Sequence, residues 1–352
     1  MGSVIHSLMS ASQPAPASDP VDFVLARLDA LAAALAPGGG RVTGLRRLTG
    51  GASLETWAFD IEGAGRPRPL ILRRRGGGGG EAEVFETSLP LPVEARLLKA
   101  AEEGGVPVAR LVRDCGEADG LGEAYVVERV SGDTLGRRIA ADASFALARQ
   151  TLGRQCGEAL AKIHAIDPAS LPPLEVQDAR AVLDRYADIY RKSSAPRPVM
   201  EAALKWMEAR LPAPVAPRLV HGDFRNGNLM VDPERGLAAV LDWELAHLGD
   251  PAEDLGWLCV NSWRFGVTHR VVGGFADLEV LLDAYREAGG EPPSVERVRF
   301  WQAVGTFKWA VVTMMMYRTF ASGASASVER AVIGRRLSEC EVDLLALMEA
   351  SR

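Results

Sequence analysis

The feature that most limits how this chain can fold is a β-rich island, Leu219 to Trp243, inside a C-terminal half that otherwise reads as helix. Within it, the apolar runs Leu229 to Val231 and Ala239 to Leu241 flank the turn-forming Asp232-Pro233-Glu234-Arg235-Gly236. Apolar runs bounded by such residues read as the two strands of a hairpin. The polar groups collect where those strands begin and end. Asp223 lies on the loop before the first strand, Asn228 at its start and Asp242 at the end of the second.

The first part of the chain reads differently. After a Ser-, Ala- and Pro-rich stretch over 1–20, expected to be a disordered tail, Val21 to Leu35 has helical periodicity and is ended by Gly38-Gly39-Gly40. Strands are expected over Arg41 to Leu48, Glu55 to Ile61 and Pro69 to Arg74, then a glycine-rich loop at Gly76 to Gly80. A helix over Val93 to Glu103 and strands over Ala109 to Asp114 and Ala124 to Val130 complete the unit. Beyond Ser131-Gly132, helices are expected over Phe145 to Ile166, Ala179 to Lys192, Pro198 to Ala209, Leu278 to Ala288, Ser294 to Thr319 and Val328 to Ala350. The pattern predicts an α+β fold with a small sheet-rich N-lobe over 21–130 and a larger, mainly helical C-lobe over 131–352. A cleft between lobes is where ligand sites gather.

Bulk properties narrow the function. A formal net charge of −6 gives no long-range attraction to nucleic acid or an anionic membrane, so neither is expected as a partner. Cys115, Cys156, Cys259 and Cys340 are scattered without a C-x-x-C pair, which argues against a structural zinc site and for buried, reduced thiols. The apolar stretch Trp309 to Met316 is far shorter than the roughly 20 residues a membrane span needs. These features predict a soluble, cytoplasmic protein. The oligomeric state is not legible.

The chemistry follows from the hairpin. Folding it sets Asn228 beside Asp242, two oxygen ligands for one hard cation; magnesium fills its other positions with water and phosphate oxygens. Asp223, five residues before Asn228, faces the same space from the loop. Phosphoryl transfer needs a carboxylate to orient the acceptor hydroxyl and oxygen ligands for the metal that bridges the phosphates. The spacing D-x-x-x-x-N, with a further Asp fourteen residues on, repeats the relation between the catalytic loop and the metal-binding Asp of protein kinases.

The runs His221-Gly222-Asp223-Phe224-Arg225-Asn226-Gly227-Asn228-Leu229-Met230 and Val240-Leu241-Asp242-Trp243-Glu244-Leu245-Ala246-His247-Leu248-Gly249-Asp250-Pro251 resemble the aminoglycoside phosphotransferase family of kinase-like enzymes, relatives of choline kinases. The continuation to Asp254-Leu255-Gly256-Trp257 is most similar to the branch fused to, or encoded near, acyl-CoA dehydrogenases. The likeness runs from about Leu48 to about Phe320. It implies a two-lobed, protein-kinase-like fold with an antiparallel-sheet N-lobe that binds nucleotide. It also implies ATP, with GTP left open, and Mg2+ as cofactors, Asp223 as catalytic base, and Asn228 and Asp242 as metal ligands. In the N-lobe it implies Arg73 as the phosphate-binding cation, with Arg74 as a register alternative, and Glu94 as its partner on the helix. Gly50, Gly51 and Ser53 belong to the implied nucleotide loop, which lacks the fuller G-x-G-x-x-G. Backbone groups of Glu128 and Val130 are the implied hinge contacts to adenine.

Other residues have plainer readings. His221 is expected to hold the loop by hydrogen bonds rather than act as base, His164 to be a packed helix residue, and His247 with Asp250 to organise the turn after the metal site. Met314-Met315-Met316, with Trp309 and Tyr317, reads as core before pocket. The leading function is a small-molecule kinase acting on a hydroxyl. The acceptor is expected to be partly apolar, because Trp257 to Trp263 and Phe300 to Tyr317 are rich in Trp, Phe, Met and Val. The dehydrogenase-linked branch implies a hydroxyacyl species. Two alternatives remain at this point: a non-catalytic nucleotide-binding module, and a metallohydrolase built on His221, Asp223, Asp242 and His247.

Overall fold

The computed structural model describes residues 20–350 apart from 37, 49–53, 64, 77–87, 194–195 and 325–326. Residues 1–19 of the tail expected over 1–20, most of the glycine-rich loop, and Gly50, Gly51 and Ser53 lie outside the described residues, while Pro20 opens a helix.

Five strands form one antiparallel sheet: β1 (Arg41–Leu48), β2 (Leu54–Glu62), β3 (Arg68–Arg75), β4 (Leu111–Cys115) and β5 (Ala124–Glu128), in the order β1-β2-β3-β5-β4. Strand alternation sends successive side chains to opposite faces. On one face, Leu70 and Leu72 of β3 join Trp57, Phe59 and Val126 beneath α1 (Pro20–Leu35), which contributes Val24, Leu28 and Leu35. On the other, Tyr125 and Val127 pack with Leu91, Ala95 and Leu98 of α2 (Leu91–Glu103). The same alternation separates the two arginines. Arg74 follows Leu70 and Leu72 to the α1 side, where its guanidinium lies 5.2 Å from the Phe23 ring centre and pairs with Glu55 at 3.3 Å. Arg73 faces the α2 side, with its Nε 3.6 Å from Glu94. Of the two register alternatives, Arg73 is the one that meets Glu94.

The rest of the chain is mostly helical: α3 (Gly136–Ala141), α4 (Ala146–Ala165), α5 (Ala179–Ser193), α6 (Pro198–Glu208), α7 (Ala252–Leu258), α8 (Leu278–Glu287), α9 (Val295–Ala321), α10 (Val328–Gly334) and α11 (Leu337–Glu349). Set among them are β6 (Arg218–Val220) paired with β9 (His247–Gly249), and the hairpin β7 (Leu229–Asp232) with β8 (Gly236–Val240). Asp232 closes the hairpin turn by accepting the N–H groups of Glu234 and Arg235 at 2.9 Å. All of the cysteines are buried and free.

Some elements differ from expectation. Strand β5 stops at Glu128 rather than Val130. The C-terminal helix expected over Val328 to Ala350 is two helices. At the break, Gly334 runs so close to α9 that a Cβ there would stand 2.5 Å from Cβ of Tyr317, and the chain turns at Arg335-Arg336. Helix α3, strand β9 and the first part of helix α7 lie where no element is expected.

Candidate active site

The loop between β6 and β7 is held from below by α7. Asp254, fully buried, accepts the backbone N–H groups of His221 at 2.8 Å and Gly222 at 3.0 Å. It also lies 3.1 Å from Nε2 of His164, whose Nδ1 meets the Tyr285 hydroxyl at 2.9 Å. A carboxylate only accepts, so His164 Nε2 donates to it. Burial works against the charge on Asp254, but His164 and the loop N–H groups outweigh burial and hold its pKa below the usual range.

His221 is the next layer. Its Nε2 donates to the Leu241 carbonyl at 3.0 Å and its Nδ1 accepts the N–H of Asp223 at 3.2 Å. Burial lowers its pKa, in keeping with a neutral ring that has one donor and one acceptor nitrogen in use. His221 therefore ties the Asp223 loop to the strand end before Asp242, as expected, and has no nitrogen left to act as base. Gly222 takes φ +78°, a conformation that favours glycine.

Three side-chain donors converge on Asp223. Its Oδ1 accepts Arg225 Nε at 3.0 Å and Trp257 Nε1 at 2.8 Å; its Oδ2 accepts Asn228 Nδ2 at 2.6 Å. Asn228 also donates to the Asp223 carbonyl at 3.1 Å. The amide nitrogen of Asn228 is thus spent on the aspartate, and its oxygen is the atom that could face a cation. The hairpin ladder continues past Leu229↔Val240, with Leu241 N–H donating to the Asn228 carbonyl at 2.8 Å. This puts Asp242 next to Asn228 across the hairpin. Asp242 has φ +65°, a strained setting for a residue with a side chain, and strain of this kind clusters at functional sites.

Arg73 reaches down onto this end of the hairpin. Its Nη2 lies 2.6 Å from Asp242 and 3.3 Å from Glu244. Burial opposes its charge, and Tyr125, Asp242 and Glu94 outweigh burial, so it is held firmly cationic. Glu94 is fully buried and accepts the Tyr125 hydroxyl at 3.1 Å. Burial raises its pKa to about 7; Arg73 pulls it down, while Asp242 and Glu244 push it up.

The structure thus brings Asp223, Asn228, Asp242, Arg73 and Glu94 together. At the other end of β5, the N–H of Glu128 donates to the Arg110 carbonyl at 2.9 Å, and its carboxylate pairs with Arg68 and Arg110. The Glu128 amide proton is therefore already used, and the hinge expectation narrows to the Glu128 carbonyl and Val130. His247 bonds the Leu245 carbonyl at 2.9 Å and Glu253 at 3.1 Å, and Asp250 accepts Trp301 Nε1 at 2.6 Å and Arg297 Nε at 2.8 Å. Both residues organise the turn. With both nitrogens of His221 and His247 occupied by protein groups, the mixed histidine–carboxylate metal cluster is not formed. No group of three or more His, Cys, Asp or Glu set to hold a metal exists among the described residues. Met314 is core, packed with Phe307, Val311 and Cys340.

Residues not singled out from sequence are Trp257, Arg225, Tyr125 and Glu244. For Trp257 a signal existed: Asp254 and Trp257 are three apart on α7, a spacing that sends both to one helix face. Its indole begins an aromatic wall, 5.1 Å from Trp263, which is 4.8 Å from Trp309. Arg225 lies over Trp263 at 4.6 Å.

The fold has solved counterparts. A Ralstonia eutropha protein assigned to the aminoglycoside phosphotransferases superposes with a TM-score of 0.70 at 21% identity, over 92% of this chain and 98% of that one. A thermostable mutant of the aminoglycoside phosphotransferase APH(4)-Ia, in complex with ADP and hygromycin B, gives 0.60 at 16% identity over 94% and 98%. These are two-lobed, kinase-like folds. Among curated proteins, mouse acyl-CoA dehydrogenase family member 11 is 30% identical over 66% of this chain and 32% of its own length. Mouse family member 10 is 24% identical over 79% of this chain and 27% of its own length. The chain therefore spans about a third of the length of these relatives. The phosphotransferase enzyme family model matches residues 44–301, most of the chain, and the protein belongs to that family.

Proposed function

We propose that this chain transfers the γ-phosphoryl group of ATP to a hydroxyl of a small, partly apolar molecule. The observation that carries the reading is the convergence of a loop carboxylate, Asp223, with Asn228, Asp242 and Arg73 at one hairpin end. Asp223 takes the proton of the acceptor hydroxyl as its oxygen bonds to the γ-phosphorus. The bond from that phosphorus to the β,γ-bridging oxygen breaks, and ADP leaves with its electron pair. Arg73 moves from Asp242 toward phosphate oxygens, keeping Glu94 as its anchor on α2. The Asn228 oxygen and the Asp242 carboxylate fit a hard divalent ion. Magnesium held by them would neutralise charge on the β- and γ-phosphates. The carbonyl of Glu128 and the backbone of Val130 would meet the adenine edge, and Gly50, Gly51 and Ser53 the phosphates.

The acceptor side of Asp223 is backed by the Trp257–Trp263–Trp309 wall, in which Trp257 and Trp263 are buried and Trp309 is partly exposed. That wall, and the acyl-CoA dehydrogenase relatives, support a hydroxyacyl-type acceptor rather than a polycationic one. The test is ADP release with ATP, magnesium and a panel of hydroxy acids, apolar alcohols and kanamycin-like amines. Asp223→Asn is expected to lose about 1,000-fold in turnover, in the range for general-base removal, with nucleotide binding nearly unchanged. Undiminished turnover in that variant refutes the base, and a strong preference for the amines refutes the acceptor class.

A further inference from the structure

We infer that Trp257 is a positioning residue for the base, and that Oδ2 of Asp223 is the atom that receives the acceptor proton. This rests on the phosphotransfer reading above.

The assignment of the oxygen follows from counting lone pairs. A carboxylate oxygen offers two acceptor sites. Oδ1 of Asp223 already takes two donors, Trp257 Nε1 at 2.8 Å and Arg225 Nε at 3.0 Å. Oδ2 takes one side-chain donor, Asn228 Nδ2 at 2.6 Å, and keeps a site for the substrate hydroxyl. The terminal torsion of an aspartate is broad and nearly two-fold, so its oxygens exchange readily unless something outside holds them apart. Arg225 and Asn228 sit on the same loop as the base. Trp257 reaches it from another element, 34 residues away in sequence.

Helix α7 therefore grips the loop twice. Asp254 holds the backbone of His221 and Gly222, and Trp257, one turn further on, holds the Asp223 side chain. The indole is itself immobilised. It stands edge-on to Trp263 at 5.1 Å, and the Lys308 ammonium lies 5.0 Å from its ring centre. On α9, Gly305 leaves the slot it occupies: a Cβ there would come within 2.8 Å of its Cε3. An indole N–H is neutral, so it orients the carboxylate without cancelling the negative charge a base needs.

Trp257→Phe keeps the ring and deletes the donor. At saturating ATP and acceptor, kcat is expected to fall about 100-fold, the scale of a misplaced reacting group, with KM for ATP unchanged. In an Asp223→Asn background the same change is expected to add nothing, because it acts through that side chain. Gly305→Ala, which removes no polar group but crowds the indole, is expected to give the same kcat-selective loss. An additive loss in the double variant, or a fall in melting temperature and in ATP affinity with no kcat-selective loss, overturns the inference. The bond has its own readout in protein carrying 15N-labelled tryptophan. The indole resonance that disappears in Trp257→Phe is expected to move in Asp223→Ala, and an unmoved resonance overturns the inference whatever the turnover. ADP formation indifferent to Asp223 overturns the phosphotransfer reading on which the inference rests, while the resonance still reports whether the bond exists.

Discussion

The groups that fix Asp223, namely His221, Asp254 and the donors to its carboxylate, have their hydrogen bonds in place within the protein, whereas the bay around Arg73 does not. In the loop, His221 uses both nitrogens, Asp254 accepts two backbone N–H groups and His164, and Asp223 accepts three side chains. In the bay, one guanidinium faces Glu94, Asp242 and Glu244. Arg73 Nε and Glu94 Oε1 are buried without a hydrogen bond among the described residues. Burial raises Glu94 to about 7, which favours its protonated form near neutral pH. A base must be oriented before it meets its substrate, and reorganising it during reaction costs rate. A pocket for a cation and phosphates gains from carboxylates and an arginine whose partners can be exchanged. The two regions therefore differ in which state their polar groups are satisfied.

The contrast breaks first at Asp254. If the loop is preorganised by α7, Asp254→Ala strands the N–H groups of His221 and Gly222 and leaves His164 without its acceptor. Removing one partner from a buried charged network costs about 3–5 kcal/mol, readable by urea unfolding. Turnover should fall with it even where the protein stays folded, because Asp223 loses its support. A loss under about 0.5 kcal/mol, the size of a surface substitution, would mean the loop holds itself without α7.

The division between the regions also marks what could be read from sequence. Asp223, Asn228 and Asp242 were legible because a short loop and one hairpin relate them, and hairpin register is local. The choice between Arg73 and Arg74 was not, because alternation shows that they face opposite sides but not which side is the cleft; that depends on where α1 and α2 pack. The Asp223–Trp257 bond was hidden because it joins residues 34 apart through tertiary packing. Strand β9, His247–Gly249, was too short to carry a strand pattern and exists because β6 pairs with it. The break at Gly334 was missed because apolar periodicity runs on through α11; a close approach to Tyr317 decides it.

The second test addresses the bay. Glu94 ionises near 4.5 in the absence of structure and near 7 when folded. Between those values the folded chain holds a proton that the unfolded chain has released. The stabilisation from this group is therefore full below about 4.5 and is lost as pH rises through about 7. Glu94→Gln abolishes the dependence. The stability of the wild type relative to that variant should drop by about 3 kcal/mol between pH 4 and 8, taking roughly 1.4 kcal/mol per pKa unit, as read from denaturant unfolding across that range. Parallel curves would mean that Arg73 alone balances the carboxylates, and the contrast with the loop would shrink to geometry.

The smallest effect sharpens the comparison most cheaply. Arg74 neighbours Arg73 on β3 but pairs with Glu55 at 3.3 Å and lies against Phe23, on the α1 side of the sheet. Among the described residues no hydrogen bond or ion pair links it to the hairpin end. Arg74→Ala removes an ion pair that is largely buried, together with its stacking on Phe23, so it costs stability. Nucleotide affinity should be unchanged, because the side chain faces away from the cleft. Arg73→Ala should instead weaken ATP binding by about 10- to 100-fold, the equivalent of losing a charge-assisted hydrogen bond of about 1.5–3 kcal/mol. Titrating nucleotide against both variants separates the faces directly. If Arg74→Ala weakened ATP binding as much as Arg73→Ala does, the electrostatics of the bay would extend through the sheet.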